Sequence, residues 1–423
     1  MLLYYKVRNY RSIEYVEVNF RFAEKKAPNG YKEREILPFI GIDSIRGVPT
    51  LALYGPNASG KTNIIKAFDT LQRIVRNRFK ESLSYPNKLQ DVGEESGYEL
   101  GFWYKGITFQ YFLSHDDRQI TKEKLIVDTH LVFSIEKNFL DYAKPSKEVY
   151  TLDKLRTIFK VECLDKEKHF NTPFLSVIGK NYANLNDTIT SAFTYITRNL
   201  EIYKKNDFPF DYCMTRLANG KDKKQLQSAF DRIVSILRKL DIDITKMEYQ
   251  RNELNVLPDT IDKEKFEYVF FPKKDLVVET DIKSYHRNHQ GDEIPLEFLQ
   301  ESAGTRKIAC LLGIILAVLD HGHILIVDEL ENSIHPLLLA ELIRLFKDRR
   351  YNKSNAQLVF TTHNTDVMDH ELMRISEIGI VSKTSKSGTR FVRVSDFEGV
   401  RNVTRFRKQY LDGKFSGIPY PYI

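Results

Sequence analysis

A phosphate-binding pattern lies near the start of the chain. Residues 54–62 read Tyr-Gly-Pro-Asn-Ala-Ser-Gly-Lys-Thr, which places Gly55, Pro56, Asn57, Ala58, Ser59, Gly60, Lys61 and Thr62 in one run. Two glycines let the backbone turn so that several N–H groups point inward, and a helix that follows adds the positive end of its dipole. The lysine ammonium suits β- and γ-phosphates, and the threonine hydroxyl suits Mg²⁺. The pattern predicts that a nucleoside triphosphate binds here.

The elements on either side of this run are those that such a loop requires. The apolar stretch Thr50–Leu53 precedes it and is short enough for a buried strand. After it, Ile64, Ile65 and Phe68 have the spacing of one helical face. A glycine-rich turn with an exposed lysine is the structural alternative, but it would not need this strand and helix.

A second group of chemically competent residues follows the apolar run 323–327. This run ends in Asp328 and Glu329, at the point where a parallel sheet would bring two carboxylates to the edge that carries the phosphate loop. Asp328 is predicted to hold Mg²⁺ together with Thr62, and Glu329 to polarise the water that attacks the γ-phosphate. The alternative is a core strand that simply ends in acids, which is less compatible with Lys61 in the same chain.

A third apolar run, residues 357–361, is followed by Thr362 and His363. A histidine at this edge of the sheet can hydrogen-bond the γ-phosphate or the attacking water. A lone histidine at a strand end is more often structural. His363 is nevertheless a catalytic candidate, because it follows the other motifs in a fixed order along the chain.

Composition limits the class of protein. The 423 residues carry a formal charge of +7, and the three cysteines have no metal or disulfide spacing, which favours a reducing compartment. The longest apolar run, residues 308–319, is too short to span a bilayer, and no signal-peptide pattern opens the chain. We therefore expect a cytoplasmic protein with no membrane segment.

The positive charge is concentrated near the carboxyl end. Residues 383–423 contain nine Lys or Arg residues against three acidic ones. Such a segment can contact the phosphates of DNA or an acidic partner protein, or it can be a solvated basic surface.

The hydrophobic pattern predicts an α/β protein in three parts. Residues 1–135 are rich in strand patterns, including a hairpin around Lys105-Gly106. Residues 136–265 have helical spacing and are interpreted as an insertion. Residues 266–423 alternate apolar strands with helices, as in a mostly parallel sheet. No internal repeat or sustained heptad pattern is present.

The order of the motifs resembles the ABC-type ATPase heads of the SMC, RecF and OLD group. It runs from the phosphate loop to Glu301-Ser302-Ala303-Gly304-Thr305-Arg306, then Asp328-Glu329, then residues 332–336, and then His363. The resemblance implies a P-loop NTPase fold of the ABC-ATPase head type, with ATP and Mg²⁺ as ligands. It also implies that Ser302 and Gly304 belong to a signature loop that binds the γ-phosphate held by another subunit, and that residues 332–336 form the D-loop at a homodimer interface.

The resemblance extends to the amino-terminal end. The run Val7-Arg8-Asn9-Tyr10-Arg11-Ser12 is similar to the stretch that opens these heads, which implies that Asn9, Arg11 and Ser12 lie against the nucleotide. The Q-loop glutamine of the family has no clear counterpart; Gln90 and Gln110 are the candidates. The signature also departs from the Leu-Ser-Gly-Gly-Gln of transporters.

Within that group the chain most resembles standalone bacterial ATPases of the RloA and AbiL kind. The features that carry this resemblance are the runs 301–306, 328–336 and 410–419. It implies an ATP-hydrolysing homodimer, or a higher homo-oligomer, that senses or regulates a separate nuclease or toxin in antiviral defence. Two alternatives stay open: a RecF-like DNA-repair ATPase, and a scaffold that assembles on ATP and holds a partner protein inert.

Overall fold

The computed structural model describes most of the chain, namely residues 1–23, 46–88, 94–142, 152–204, 223–254, 267–271, 276–332, 334–384, 388–400 and 405–418. The chain divides into two compact units. The first contains Met1–Lys204, Gly322–Leu330 and Ile343–Ile423, and the second contains Lys205–His321 and Glu331–Leu342.

The first unit contains an antiparallel sheet of seven strands. Its spatial order is β2-β1-β4-β5-β6-β7-β8. The strands are β1 (Leu2–Tyr10), β2 (Ile13–Asn19), β4 (Ser96–Tyr104), β5 (Ile107–His115), β6 (Ile120–Val127), β7 (His130–Glu136) and β8 (Phe139–Tyr142). The predicted hairpin is confirmed: β4 and β5 pair around Lys105 and Gly106, whose φ angles of +51° and +87° suit a tight two-residue turn.

A six-stranded sheet in the same unit carries the loops of interest. Its order is β17-β16-β3-β15-β14-β9, and all neighbours are parallel except β16 and β17. The strands are β3 (Thr50–Tyr54), β9 (Leu200–Tyr203), β14 (Ile324–Val327), β15 (Gln357–Thr361), β16 (Ile378–Thr384) and β17 (Gly388–Arg393). Strands β3, β14 and β15 are buried along their whole length, as expected for central parallel strands that read as continuous apolar runs.

The helices of the first unit complete its core. They are α1 (Lys61–Arg76), α2 (Leu152–Ile158), α3 (Phe174–Asn181), α4 (Asp187–Thr194) and the carboxyl-terminal α8 (Phe406–Leu411). The apolar face of α1 packs against the antiparallel sheet, where Phe68 stacks on Tyr5 with ring centroids 3.8 Å apart. On another side of α1, the buried Gln72 donates to the carbonyls of Ile196 and Leu200. This helix is therefore fixed to both sheets of the unit.

The second unit contains strands as well as helices. Strands β10 (Lys246–Leu254), β11 (Glu267–Phe271), β12 (Leu276–Arg287) and β13 (Glu293–Glu297) form an antiparallel sheet with β12 in contact with the other three. Helices α5 (Lys223–Lys239) and α6 (Ala303–His321) pack together and are joined by a salt bridge of 2.8 Å between Arg232 and Asp320. A further helix, α7 (Pro336–Lys347), begins in this unit.

This division corrects the expected helical insertion at residues 136–265. Residues 152–204 belong to the first unit, and β9 joins the parallel sheet beside β14. Further along, residues 246–254 are a strand and not a helix. Helices do occur in this region at α4 and α5, but periodicity does not show which sheet a strand joins or which unit a helix packs against.

None of the helices within the described ranges is long and apolar enough to cross a membrane.

Candidate functional site

The phosphate loop connects β3 to α1 and has the backbone that its glycines allow. Ala58 and Gly60 have φ angles of +61° and +106°. A Cβ atom on Gly60 would lie 2.0 Å from Oγ1 of Thr389, and one on Gly55 would lie 2.1 Å from the carbonyl oxygen of Val381. Both glycines are therefore required by close neighbours as well as by backbone angle.

Lys61 begins α1 and lies across the loop. Its side chain is buried, and Nζ donates to the carbonyl oxygens of Gly55 at 2.7 Å and Pro56 at 3.0 Å. These two contacts hold the ammonium group at the mouth of the loop. The same group can leave the carbonyls for phosphate oxygens, which are stronger acceptors because they are charged.

Two carboxylates follow β14 on the same edge of the sheet. Asp328 is buried, and its Oδ1 accepts hydrogen bonds from Oγ1 of Thr62 at 3.2 Å and Oγ1 of Thr361 at 2.7 Å. Because β15 lies between β3 and β14, Thr361 at its end can reach the acid from the side of the phosphate loop. The structure thus brings the predicted pair Thr62 and Asp328 together.

Glu329 has a backbone that few residues with side chains adopt. Its φ angle is +53°, in the left-handed region, and its N–H donates to Oγ1 of Thr361 at 2.7 Å. The next N–H, of Leu330, donates to the carbonyl of Thr361. Thr361 therefore fixes the turn in which both acids lie. The sequence pointed to the strand that ends at Thr361 but gave no reason to select its hydroxyl.

One cavity of about 330 Å³ unites these groups. His363 is exposed at its wall, as is expected for a group that contacts a ligand. The lining residues are Ser12, Asn57, Ala58, Ser59, Gly60, Lys61, Thr62, Asn63, Lys66, Asp328, Glu329, Thr361, His363 and Lys383. The phosphate loop, both predicted acids and His363 share this cavity, so the arrangement can bind a polyphosphate next to a carboxylate.

Only one of the three amino-terminal candidates reaches the cavity. Ser12 lines it, and its Oγ lies 2.7 Å from both Thr389 Oγ1 and Asn63 Nδ2. Thr389 in turn donates to the carbonyl of Ser59 at 3.0 Å. Ser12 therefore supports the phosphate loop through hydrogen bonds from two sides.

Asn9 and Arg11 do not line the cavity, which corrects the expectation that they lie against the nucleotide. The buried Asn9 side chain donates to the carbonyl of Glu94 and accepts from the N–H of Asn87. The Arg11 guanidinium lies over the ring of Tyr85, 4.1 Å from its centroid. Both side chains are used in packing of the amino-terminal region.

The predicted signature residues belong to the second unit. Ser302 is exposed and caps α6, because its Oγ accepts from the N–H of Thr305 at 3.1 Å; Gly304 lies in the first turn of that helix. Just before Ser302, Glu301 Oε1 accepts a hydrogen bond from Ser284 Oγ at 2.6 Å and lies 2.6 Å from His286 Nε2. The segment predicted to be the signature loop is thus a fixed helix start with an exposed hydroxyl.

Residues 332–336, the predicted D-loop, lie in the same unit as the predicted signature residues. Lys307 Nζ donates to the carbonyl of Asn332, so the start of α6 contacts this run directly. Ser333 lies outside the described residues. Of the two Q-loop candidates, Gln90 also lies outside them, and Gln110 is in β5 opposite Gly101 and does not line the cavity.

The oxygen ligands at the cavity fit Mg²⁺. A threonine hydroxyl and a carboxylate lie 3.2 Å apart beside the phosphate loop, which leaves the remaining positions to phosphate oxygens and water, the arrangement that Mg²⁺ commonly adopts. Among the described residues, no group of three or more His, Cys, Asp or Glu side chains could hold a metal by itself.

Part of the basic carboxyl-terminal segment is folded onto the first unit. Arg407 of α8 pairs with Asp366 at 2.6 Å, and Arg393 pairs with Asp396 at 3.2 Å. The ring of Tyr410 lies 6.1 Å from that of Tyr54, at the end of β3. The charges of Arg407 and Arg393 are therefore partly neutralised within the protein. Lys386 and Arg401, which belong to the same basic segment, lie outside the described residues.

Comparison with known proteins gives one family and several solved structures. A family model with the description "AAA domain, putative AbiEii toxin, Type IV TA system" matches residues 51–369. This range includes the phosphate loop, the predicted signature run 301–306, both acids and His363. No curated protein matches the chain.

Three of the solved structures that resemble the chain are heads of SMC proteins. The SMC head domain from Thermotoga maritima has a TM-score of 0.42 and 13% identity, with 93% of this chain and 98% of that one covered. An SmcHead bound to the C-winged helix domain of ScpA has a TM-score of 0.38 and 12% identity, covering 92% and 96%. An Smc head domain bound to the C-terminal domain of ScpA, derived from Pyrococcus furiosus, has a TM-score of 0.40 and 11% identity, covering 92% and 95%.

Proposed function

The chain belongs to the AAA-domain family whose model matches residues 51–369, and we propose that it binds ATP with Mg²⁺ and hydrolyses it to ADP and phosphate. The observation that carries this proposal is the shared cavity. It places Lys61 and Thr62 of the phosphate loop together with Asp328 and Glu329.

The phosphate loop and α1 bind the triphosphate. Lys61 exchanges the carbonyls of Gly55 and Pro56 for β- and γ-phosphate oxygens, and the N–H groups of the loop donate to the same oxygens. The positive end of the α1 dipole adds to this attraction. Adenine as the base is proposed from the family and not from a contact in the cavity.

Thr62 and Asp328 hold Mg²⁺, which when bound neutralises charge on the β- and γ-phosphates. The Asp328 carboxylate is fixed for this role by the hydroxyl of Thr361. Because it accepts that hydrogen bond in a buried position, its oxygen atoms have a defined direction.

Glu329 orients the attacking water and accepts its proton, while the water oxygen bonds to the γ-phosphorus and the bond from that phosphorus to the oxygen of ADP breaks. His363, on the wall of the same cavity, donates a hydrogen bond to the γ-phosphate. The left-handed backbone at Glu329 turns the chain out of the direction of β14.

We further propose that ATP is held between two copies of the chain. Ser302 and the first turn of α6 would meet the γ-phosphate bound by Lys61 of the second copy. The support is an exposed hydroxyl at the start of a helix of 19 residues, where the helix dipole favours an anion. ATP binding then closes the dimer and hydrolysis releases it.

The closed dimer would control a separate effector, a nuclease or toxin, in antiviral defence. This step is supported by the family description, which names a toxin and a Type IV TA system. A RecF-like role on DNA and an ATP-assembled scaffold are the alternatives that an experiment must separate.

The test is the mass of Glu329→Gln protein with and without Mg-ATP, and with and without DNA. We expect ATP binding without turnover, and an ATP-dependent dimer that forms without DNA, because the amide cannot take the proton of water. Normal turnover in this variant would remove Glu329 from the mechanism. Assembly only on DNA would favour the RecF-like role, and an ATP-dependent dimer whose wild-type form has no turnover would favour the scaffold.

A further inference from the structure

Lys383 lies in the wall of the nucleotide cavity although none of the nucleotide-binding motifs includes it. It is an exposed residue near the carboxyl end of β16 and lines the same cavity as Lys61. Lys66, one turn beyond Thr62 in α1, lines it too. The cavity therefore contains two cations in addition to the lysine of the phosphate loop.

The sheet order places Lys383 and the catalytic acids on opposite sides of the phosphate loop. In the order β17-β16-β3-β15-β14, the phosphate loop follows β3. Asp328 and Glu329 follow β14 on one side, and Lys383 lies near the end of β16 on the other. A nucleotide whose γ-phosphate faces the acids extends away from them, and β16 lies on the side of the loop opposite the acids.

The hairpin of β16 and β17 is fixed to the phosphate loop, so the position of Lys383 is fixed with it. Lys383 pairs with Thr389 across the hairpin, and Thr389 donates to the carbonyl of Ser59. A Cβ atom on Gly388 would lie 2.5 Å from the carbonyl of Ser12, which shows how closely the hairpin packs against the β1–β2 turn. Lys383 is therefore part of a preorganised wall, although its own side chain is exposed.

We propose that Lys383, together with Lys66 of the same cavity, binds the α-phosphate end of the nucleotide. This proposal rests on the proposed function, since it takes the γ-phosphate to lie beside Glu329. A cation at the α-phosphate makes the same contact with a nucleoside diphosphate as with a triphosphate. It therefore raises the affinity for both, in contrast to a group that recognises the γ-phosphate.

The test compares the affinities of the wild type and the Lys383→Gln variant for ADP and for a non-hydrolysable ATP analogue, by calorimetry in Mg²⁺. We expect the variant to bind both ligands about 5-fold more weakly, which corresponds to one solvent-exposed charge contact. Arg390→Gln is the matched control, because Arg390 is exposed on the same hairpin but does not line the cavity; its affinities should stay within about 2-fold of the wild type.

Three results would overturn the assignment. Equal affinities in the wild type and the Lys383→Gln variant would exclude a contact, and a loss for the ATP analogue alone would move Lys383 to the γ-phosphate. An equal loss in the Arg390→Gln control would indicate a general effect of charge. If the wild type bound neither ligand, the proposed function itself would fail, which is a distinct outcome.

Discussion

Thr361 Oγ1 donates a hydrogen bond to Asp328 Oδ1 across 2.7 Å, and Thr361 Oγ1 also accepts a hydrogen bond from the N–H of Glu329. One buried hydroxyl from β15 therefore connects the side chain of one acid to the backbone of the other. Because the left-handed backbone at Glu329 is unfavourable for a residue with a side chain, this hydrogen bond stabilises the turn that both acids need.

Thr361→Val should lower ATP turnover, because it removes the hydroxyl while keeping the shape of the side chain. We expect the turnover number to fall about 10- to 100-fold, as for loss of a hydrogen bond to a charged group. Thr361→Ser keeps the hydroxyl and should stay within a few-fold of the wild type. The Mg²⁺ concentration for half-maximal turnover should rise in the valine variant only, since Asp328 is no longer fixed.

A simple packing role for Thr361 would give a different pattern. In that case serine, which lacks the methyl group, would be the more damaging replacement. Equal turnover in the valine variant and the wild type would remove Thr361 from the positioning of the acids. Circular dichroism of both variants checks that the parallel sheet is intact.

Ser302→Arg should prevent ATP-dependent assembly while leaving the affinity of one chain for nucleotide within about 2-fold of the wild type, as for a surface change outside the cavity. The reason is that Ser302 does not line the cavity formed by the phosphate loop, and a bulky cation at the start of α6 would obstruct a second copy. Sedimentation with and without Mg-ATP measures assembly, and calorimetry measures affinity. Exposed Ser354, changed to Arg, is the matched control and should assemble normally.

Sedimentation and calorimetry of the Ser302→Arg protein distinguish two ways in which the proposed dimer contact could be wrong. A loss of nucleotide affinity in the monomeric Ser302→Arg protein would mean that Ser302 acts within its own chain. Normal assembly of the same variant would mean that the start of α6 is not at the interface.

Stability should fall as the pH rises from about 5 to 7 because of Glu123. Burial raises the pKa of this carboxyl from 4.5 to about 7, although hydrogen bonds from the N–H groups of Leu175 and Phe174 and from the Tyr111 hydroxyl oppose the rise. The folded state thus binds the proton more tightly than the unfolded state. The stabilisation by protonated Glu123 is complete below the pKa of the unfolded state. It is lost as the pH rises through 7, which lowers the free energy of unfolding by about 3 kcal/mol.

Urea unfolding at several pH values tests this expectation. The single tryptophan, Trp103, lies in the same antiparallel sheet as Glu123 and reports on it by fluorescence. Relative to Glu123→Gln, which cannot titrate, the wild type should gain stability as the pH falls. If the difference in free energy of unfolding between the two proteins did not vary with pH, or varied in the opposite direction, the pKa of Glu123 would not be raised by burial. The control is Glu81→Gln, because Glu81 is exposed.

Local motifs explain most of what could be predicted at the site. The phosphate loop, β3, β14 and β15 lie where the apolar runs and glycines indicated, because these signals act within a few residues. Asn9 and Arg11 were placed at the nucleotide by resemblance alone. In the structure the Asn9 side chain hydrogen-bonds Glu94 and Asn87, and the Arg11 guanidinium lies over the ring of Tyr85. Which way a side chain points after a strand depends on partners distant in sequence.

The sequence by itself determined the chemistry of this protein: a phosphate loop, two acids after an apolar strand, and a histidine after another, since each depends on residue type and short spacing. The tertiary structure decided which residues share the cavity. The order of the strands brings both Thr62 and Thr361 within hydrogen-bond distance of Asp328 and places Lys383 on the opposite side of the loop. Strand order depends on packing between segments hundreds of residues apart, and no local pattern records it.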